Sequence, residues 1–412
     1  MRRFTATARA RRHVQLSADV ARLAGWFATH GRTSISDGSG IINHFERDFA
    51  EATESSYALA VTNGTAALHS AYFAVGVGPG TEVIVPAYTW HATATPILQC
   101  GAVPVFCDID SSTLTIDVDD VVRRLTPRTR AICAVHMWGS PAAMDRVVEV
   151  ARQHDLAVIE DCSHAHGARY DGRPVGSWGD VGCFSLHASK PVAAGEAGVA
   201  VTDDPELFDR MLLLGHPGRL ASGQAAGSFP PEIVDLGVKY RPHAFAVHLA
   251  RSSLRRLDQE NGRRGRIWAT IRDELRDSVQ LAPLEKLPKA EWGGYYNYVI
   301  DFVGAREKAS AEDLARAARA RGVPIQAEQY GRNLLHKAPV FTSLDRARLG
   351  GGCFDATRPW DDNVSEVTLP ACEAIGPRLL AFDRLMYLAT DDFARRSARE
   401  LSRAAQEVLS TP

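Results

Sequence analysis

The chain has 412 residues, a formal net charge of -2 at pH 7, 45% hydrophobic and 23% charged residues. This length exceeds what one hydrophobic core usually serves, so two domains sharing a cleft are expected, and the near-neutral balance gives no case for nucleic acid or a membrane surface as partner. No apolar run approaches the ~20 residues of a spanning helix, and the seven cysteines, odd in number and without a C-x-x-C, read as free thiols of a reducing, cytoplasmic compartment.

The first 18 residues carry five arginines and no acid, which reads as a frayed basic arm. From Val14 to His30 the apolar residues fall at helical spacing, and Ile41, Ile42, Phe45 and Phe49 resume that period to about Glu54. Strands are then expected at Tyr57–Val61, Glu82–Val85, Val103–Cys107, Arg130–Val135 and Leu156–Ile159. Helices fall between them at Thr65–Val75, His91–Gln99, Val118–Leu125 and Ala142–His154. Buried-type strands alternating with helices call for a mostly parallel sheet covered on both faces, with ligands beyond the carboxyl ends of the strands.

Strands at Val181–Ser185 and Gly198–Thr202 follow, then a helix at Pro205–Leu214, a Gly- and Pro-rich flexible loop at Gly215–Pro231, and a helix at Ala244–Leu257. Beyond about Gln259 come helices at Arg263–Asp277 and Ser310–Arg321, a strand at Tyr295–Phe302 and one long helix at Arg378–Leu409. The α/β reading thus divides the chain into a large domain with its N-terminal arm, 1–258, and a smaller C-terminal α/β domain, 259–412.

Lys190 lies between the strands at Val181–Ser185 and Gly198–Thr202, among small residues in a Gly-bounded loop. A lysine amine attacks an aldehyde only when unprotonated, and such a partly desolvated loop can tune it. Thr62-Asn63-Gly64-Thr65 ends a strand and opens a helix, where a glycine lets free amides approach a phosphate, although the same residues suit a tight turn. Glu160-Asp161 puts two carboxylates at a strand end; a protonated pyridine nitrogen would partner one of them, as would an arginine or a helix N-terminus. Trp90 follows another strand end, where it can stack on a flat ring or pack in the core. His164 and His166 have chelating spacing, yet no recognisable ligand set accompanies them, and no metal is expected. No G-x-S-x-G elbow is present. A Schiff-base lysine, an acid, a phosphate cup and a stacking ring together fit pyridoxal 5'-phosphate.

From about Ser34 to Tyr240 the chain resembles the DegT/StrS family of sugar and cyclitol aminotransferases, enzymes of the fold-type-I pyridoxal phosphate class. The resemblance rests on Thr62-Asn63-Gly64-Thr65, Pro86-Ala87-Tyr88-Thr89-Trp90-His91-Ala92-Thr93, Glu160-Asp161-Cys162-Ser163-His164-Ala165-His166-Gly167 and Ser185-Leu186-His187-Ala188-Ser189-Lys190. It implies that Lys190 holds the cofactor covalently and acts as acid and base, and that Asp161 keeps the pyridine nitrogen protonated. It also implies Trp90 on the ring, Asn63, Gly64, Thr65 and Ser185 around the phosphate, and His164 near the ring hydroxyl. Many members have glutamine where this chain has His164. That histidine, with His136-Met137-Trp138-Gly139-Ser140-Pro141 and Gly237-Val238-Lys239-Tyr240-Arg241, is similar to the branch that aminates keto-cyclitols in aminoglycoside pathways.

At the position of Lys239 much of the family has an asparagine that reaches the cofactor of a neighbouring subunit, so the resemblance implies a homodimer with shared sites, Lys239 and Tyr240 included among the cofactor-binding residues. The implied reaction moves an amino group from glutamine or glutamate to a keto-cyclitol or keto-sugar, with pyridoxamine 5'-phosphate as the amino-carrying form of the cofactor. Tyr330 and His336 are candidate substrate contacts. Alternatives are a nucleotide-sugar ketone as acceptor, for which Arg219, Lys239, Arg332 and Lys337 offer cations, a dehydratase or aromatising synthase of the same family, and a binding module without turnover. Relatives that remove water carry histidine where this chain has Lys190.

Overall fold

The computed structural model describes residues 2–221, 238–305, 309–342 and 367–410. The chain begins with α1 (Arg2–His30) and α2 (Ile41–Thr53), and continues β1 (Tyr57–Val61), α3 (Gly64–Ala74), β2 (Glu82–Pro86), α4 (Thr95–Gln99), β3 (Val103–Cys107), α5 (Val118–Arg123), β4 (Thr129–Val135), α6 (Met144–Gln153) and β5 (Ala157–Asp161). Two short strands, β6 (Arg169–Tyr170) and β7 (Arg173–Pro174), precede β8 (Val181–Ser185) and β9 (Gly198–Thr202), which lead to α7 (Pro205–Gly215), α8 (Pro217–Ala221), α9 (Ala244–Leu254) and α10 (Leu257–Leu275). The rest comprises β10 (Ala282–Pro283), β11 (Ala290–Glu291), β12 (Val299–Asp301), α11 (Ala311–Ala320), β13 (Ile325–Ala327), α12 (Pro339–Thr342), α13 (Pro370–Ile375), β14 (Leu379–Phe382) and α14 (Asp391–Ser410).

Seven strands form the main sheet in the order β1-β9-β8-β5-β4-β2-β3. All run parallel except β9, which is antiparallel to both β1 and β8. The carboxyl ends of β1, β2, β4, β5 and β8 therefore open on one edge, and the reversed β9 begins on that same edge, so the β8–β9 loop carrying Lys190 is held there. The strands are buried nearly throughout, and helices on both faces supply the covering layers, as uninterrupted apolar strands require. A second, four-stranded sheet, β10-β12-β14-β13, packs with α10, α11 and α14 around its own core.

Tertiary context changes several local expectations. The basic arm is not frayed: α1 extends back to Arg2, and it is tied down where Arg11 donates to the Leu388 carbonyl (2.9 Å), Gln15 to Glu260 (2.7 Å) and Asp19 pairs with Arg256 (2.8 Å). The expected helix from His91 splits into a 3₁₀ turn and α4, because Pro96 lacks the amide an interior turn needs and suits a helix start. Part of the expected loop after Gly215 is helical, as α8, and residues 222–237 lie outside the described segments. The helix expected over Ala244–Leu257 ends at Leu254, and α10 starts at Leu257, so that one helix crosses the expected domain boundary.

The strand expected over Tyr295–Phe302 shortens to Val299–Asp301, leaving Tyr295 in a left-handed turn at φ 43°. The long C-terminal helix expected from Arg378 is instead β14, a 3₁₀ turn at Arg384–Leu388, and α14. Leu379-Leu380-Ala381-Phe382 is buried on both faces between β12 and β13, and the ladder on each side outweighs helical propensity.

Arg219, a candidate cation for an anionic substrate, is committed elsewhere. Its Nη1 lies 2.6 Å from Glu46 Oε1, both side chains are buried, and the same oxygen accepts the Ala60 amide at 2.8 Å. Replacing Arg219 by methionine leaves the Glu46 carboxylate buried without its cation, and a loss of about 3–5 kcal/mol is expected in urea unfolding; a change below about 1 kcal/mol would contradict this account.

Candidate active site

A cavity of about 450 Å³ opens at the carboxyl edge of the main sheet, and Asn63, Gly64, Thr65, Trp90, Asp161, His164, Ser185, Lys190 and Tyr330 all line it. Residues separated by up to 267 positions are thus brought together, nine of the twelve singled out from the sequence. The other three stand apart. His336 is buried and bonded through Nε2 to Glu373 (3.1 Å) rather than lining this cavity, so the expectation of a substrate contact there is corrected: its ring is turned to α13. Lys239 is exposed and Tyr240 bonds to His69 Nδ1 (2.6 Å), both away from the cavity of their own chain.

The phosphate-type cradle is built by β1 and α3. Asn63 caps α3 by accepting the Ala66 amide at 2.8 Å, and the first backbone bond of the helix starts at the Ala67 amide, so the Gly64 and Thr65 amides are left over at the positive end of the helix. This turn sits directly on the β8–β9 edge. A Cβ on Gly64 would lie 2.7 Å from that of Ser185, and one on Gly198 would lie 2.3 Å from the Asn63 carbonyl oxygen, so both positions require glycine for the cradle to close.

Asp161 and Glu160, adjacent at the end of β5, point to opposite faces as the two-residue period of a strand dictates. Glu160 is spent on structure: it accepts the His136 Nε2–H (2.9 Å) and the amides of Gly176 (2.9 Å) and Gly179 (2.8 Å), while His136 Nδ1 accepts the Ala142 amide (3.0 Å). With Cys162 these two form the only group of potential metal ligands among the described residues, and the His136 and Glu160 atoms are already engaged in these hydrogen bonds. Asp161 faces the cavity, where Thr93 Oγ1 donates to its Oδ2 (2.8 Å) and the Ser163 amide to its Oδ1 (3.1 Å). Thr93 was within reach of the sequence, lying in the segment after Trp90, but nothing local marks its role.

Lys190 Nζ sits 4.2 Å from the centre of the Tyr296 ring. Burial lowers its pKa to about 8, Asp161 acting in the opposite sense and the Arg384 charge adding to the lowering. The Tyr296 hydroxyl lies 3.0 Å from Ser189 Oγ, which fixes the lysine loop against the C-terminal part of the chain. Tyr296 escaped sequence reasoning because it read as part of a strand.

The far wall is aromatic. His164 stacks on Tyr296 (4.2 Å between centroids, 15° between planes) and on Trp138 (5.0 Å, 19°), and Tyr330 stacks on Trp138 (5.0 Å, 24°). Burial, and then the Lys190 charge, hold His164 well below the usual histidine range and bring His166 down to about 3, so both rings are neutral at physiological pH. His164 Nδ1 is buried without a protein partner. Trp90 is 52% exposed and tilted against Tyr330 (5.8 Å), so it walls the mouth and does not pack in the core.

These residues offer amides and hydroxyls to a phosphate, a carboxylate to a pyridinium, an orphaned imidazole nitrogen to a ring hydroxyl and an amine to an aldehyde. Residues 25–357 match the family described as DegT/DnrJ/EryC1/StrS aminotransferases. The chain is 33% identical over 373 residues to the L-glutamine:2-deoxy-scyllo-inosose aminotransferase of Streptomyces kanamyceticus, covering 88% of this chain and 84% of that protein. It is 43% identical over 180 residues to the GDP-perosamine synthase of Escherichia coli O157:H7, covering 44% of this chain and 50% of the other. The crystal structure of 3-amino-5-hydroxybenzoic acid synthase superposes with a TM-score of 0.80 over 95% of this chain and 97% of that one, at 27% identity. The site geometry and these likenesses agree: the chain belongs to the DegT/DnrJ/EryC1/StrS aminotransferase family and is an aminotransferase dependent on pyridoxal phosphate.

Proposed function

We propose that this enzyme carries an amino group from glutamine or glutamate to a keto-cyclitol or keto-sugar, in the making of an aminoglycoside or another secondary metabolite, as a cytoplasmic homodimer. The observation that carries amino transfer is Lys190 itself, a partly desolvated amine lining a cavity that also holds Asp161 and the α3 cradle. A cyclitol as acceptor is supported by the relative that spans 84% of its length with this chain, and by the commitment of three of the four expected cations: Arg219 pairs with Glu46, Arg332 with Glu312 and Lys337 with Glu373. A nucleotide-sugar ketone is the second reading. It is supported by an adjoining chamber of about 1130 Å³ beyond Tyr330, lined in part by Arg9, Arg12 and Arg319.

When bound, pyridoxal phosphate supplies an aldehyde to carry the amino group and a ring to take up electrons from the donor's α-carbon. The Gly64 and Thr65 amides and the Ser185 hydroxyl bind its phosphate, and Trp90 covers its ring. Asp161 keeps a proton on the ring nitrogen; each of its oxygens already accepts one protein hydrogen bond, which fixes the carboxylate plane and leaves lone pairs for that proton. His164, neutral and with Nδ1 unpaired, hydrogen-bonds the ring hydroxyl. Lys190 would hold the cofactor's aldehyde and, as a free amine, would take up the proton of the donor's α-carbon and give it back in the opposite half of the reaction. Lys239 would add a full charge beside the cofactor phosphate of the partner subunit.

Incubation with glutamine and 2-deoxy-scyllo-inosose or scyllo-inosose is expected to give the amine. Product from a nucleotide-linked 4-keto-sugar alone would establish the second reading, and loss of water from the ketone without amination would reject both. Because a lysine pKa near 8 leaves about a tenth of the amine free at pH 7, the rate of cofactor attachment to the stripped protein should rise about tenfold per unit below pH 7.5 and level off above about pH 8.5. A continued climb toward pH 10 would show an untuned lysine, and Lys190→Ala should lower turnover on the order of 10⁴-fold. Mixed dimers of Lys190→Ala and Lys239→Ala chains should regain part of the wild-type activity through one intact hybrid site; verified mixed dimers with none would remove Lys239 from the partner's site.

A further inference from the structure

Among the described residues, the Lys190 cavity has one further arginine or lysine side chain, and no protein group pairs with it. Arg384 lines it, and lines two neighbouring cavities as well, so the guanidinium stands where the three spaces meet. The other buried or half-buried arginines nearby are committed: Arg264 pairs with Glu260 at 2.8 Å and Arg256 with Asp19 at 2.8 Å. Arg384 has no ion pair or side-chain hydrogen bond among the described residues, and its side chain is exposed. Its charge is nonetheless felt at Lys190 Nζ, which places it within electrostatic reach of the reacting amine.

The backbone beneath it is fixed even though the side chain is free. Asp383 caps the turn by accepting the Leu385 amide at 2.8 Å, Met386 is fully buried, and Leu385 and Leu388 pack against Ala8 of α1. The strand that delivers it, β14, is central in the C-terminal sheet. Arg384 is therefore an exposed cation on a well-packed base.

Amino transfer imposes a particular demand on such a site. Glutamine and glutamate both carry an α-carboxylate beside the amine that must reach Lys190, whereas a keto-cyclitol carries no charge, and the two occupy the same space in turn. An arginine locked to a protein carboxylate would not release it for the donor, and one buried without a partner would oppose binding of the neutral acceptor. An exposed arginine on a fixed turn meets both conditions, paired with the donor in one half of the cycle and hydrated in the other.

We propose that Arg384 binds the α-carboxylate of the amino donor and so serves the first half of the reaction and not the second. This rests on the amino-transfer reading of the site and is independent of which ketone accepts the group. Each half can be followed alone on the cofactor-loaded protein. Arg384→Gln should raise KM for the donor, glutamine or glutamate, about 50-fold with kcat changed less than about threefold, as loss of a charge-assisted fork predicts. The dissociation constant of the α-methyl derivative of the same donor, which binds but has no α-proton to lose, should rise by a similar factor when read from the absorbance of the cofactor. Arg384→Lys should recover part of the loss, keeping the charge without the fork. Reaction of the aminated protein with ketone, compared at the plateau of each protein's pH profile so that the loss of the Arg384 charge near Lys190 does not enter, should change less than about twofold, because that step involves no carboxylate. An unchanged donor KM and probe affinity, or an equal loss in both halves, would overturn the proposal. Failure of the amino-transfer reading would look different: the unmodified protein would react with no donor at all.

Discussion

The site depends on partly desolvating one amine within the field of one carboxylate. Removing Lys190 from solvent disfavours its charged form, and Asp161 opposes that by favouring it, so the amine comes to rest with a pKa of about 8. Neither group alone gives that balance. A lysine on an open loop would stay protonated, and one buried far from any carboxylate would lose its proton altogether and with it the capacity to return one. The reversed strand β9 makes the balance geometrically possible. By starting on the edge where the parallel strands end, it brings the loop of Lys190 back across the carboxyl end of β5, where Asp161 sits.

A second constraint follows from the first: the cavity must be closed by groups that do not compete for the amine. The C-terminal part of the chain supplies them as aromatic faces. Tyr296 covers Lys190 and stacks on His164, and Tyr330 and Trp138 extend the wall. Their placement is fixed by hydrogen bonds that run between the two sheets. The Tyr88 hydroxyl donates to Glu328 (3.0 Å) while accepting the Trp138 indole proton (3.0 Å), and Glu328 also accepts the Tyr330 and Gly331 amides. Glu328 is thus a buried carboxylate held by three donors around one turn, and through it the position of Tyr330 is tied to the end of β2.

Much of the main sheet was legible because its strands are short apolar runs bounded by turn residues. β1, β3, β8 and β9 fall at the residues expected, and Asn63-Gly64-Thr65, which suits a tight turn as well as a phosphate cup, opens α3 with Asn63 as its cap. The C-terminal part was less legible for an equally physical reason. Leu379-Leu380-Ala381-Phe382 fits a helix or a strand, and only the two strands flanking it decide the matter. That misreading also concealed Arg384, which as part of a long helix would have been one more solvated arginine. His336 was misplaced in the opposite direction, since a polar residue in a loop reads as exposed until its burial against Glu373 is seen.

The sequence by itself determined the chemistry: a lysine in a small-residue loop, an acid at a strand end, a helix start able to hold a phosphate, and hence the cofactor class. Those features are local, because each depends on residue type and on one or two neighbours. The tertiary structure alone decided which carboxylate of the Glu160-Asp161 pair faces the cavity, which aromatic rings close it, and which arginine is free to meet a substrate. Such choices depend on strand register and on contacts between segments more than a hundred residues apart, and a linear pattern carries no record of either until the chain has folded.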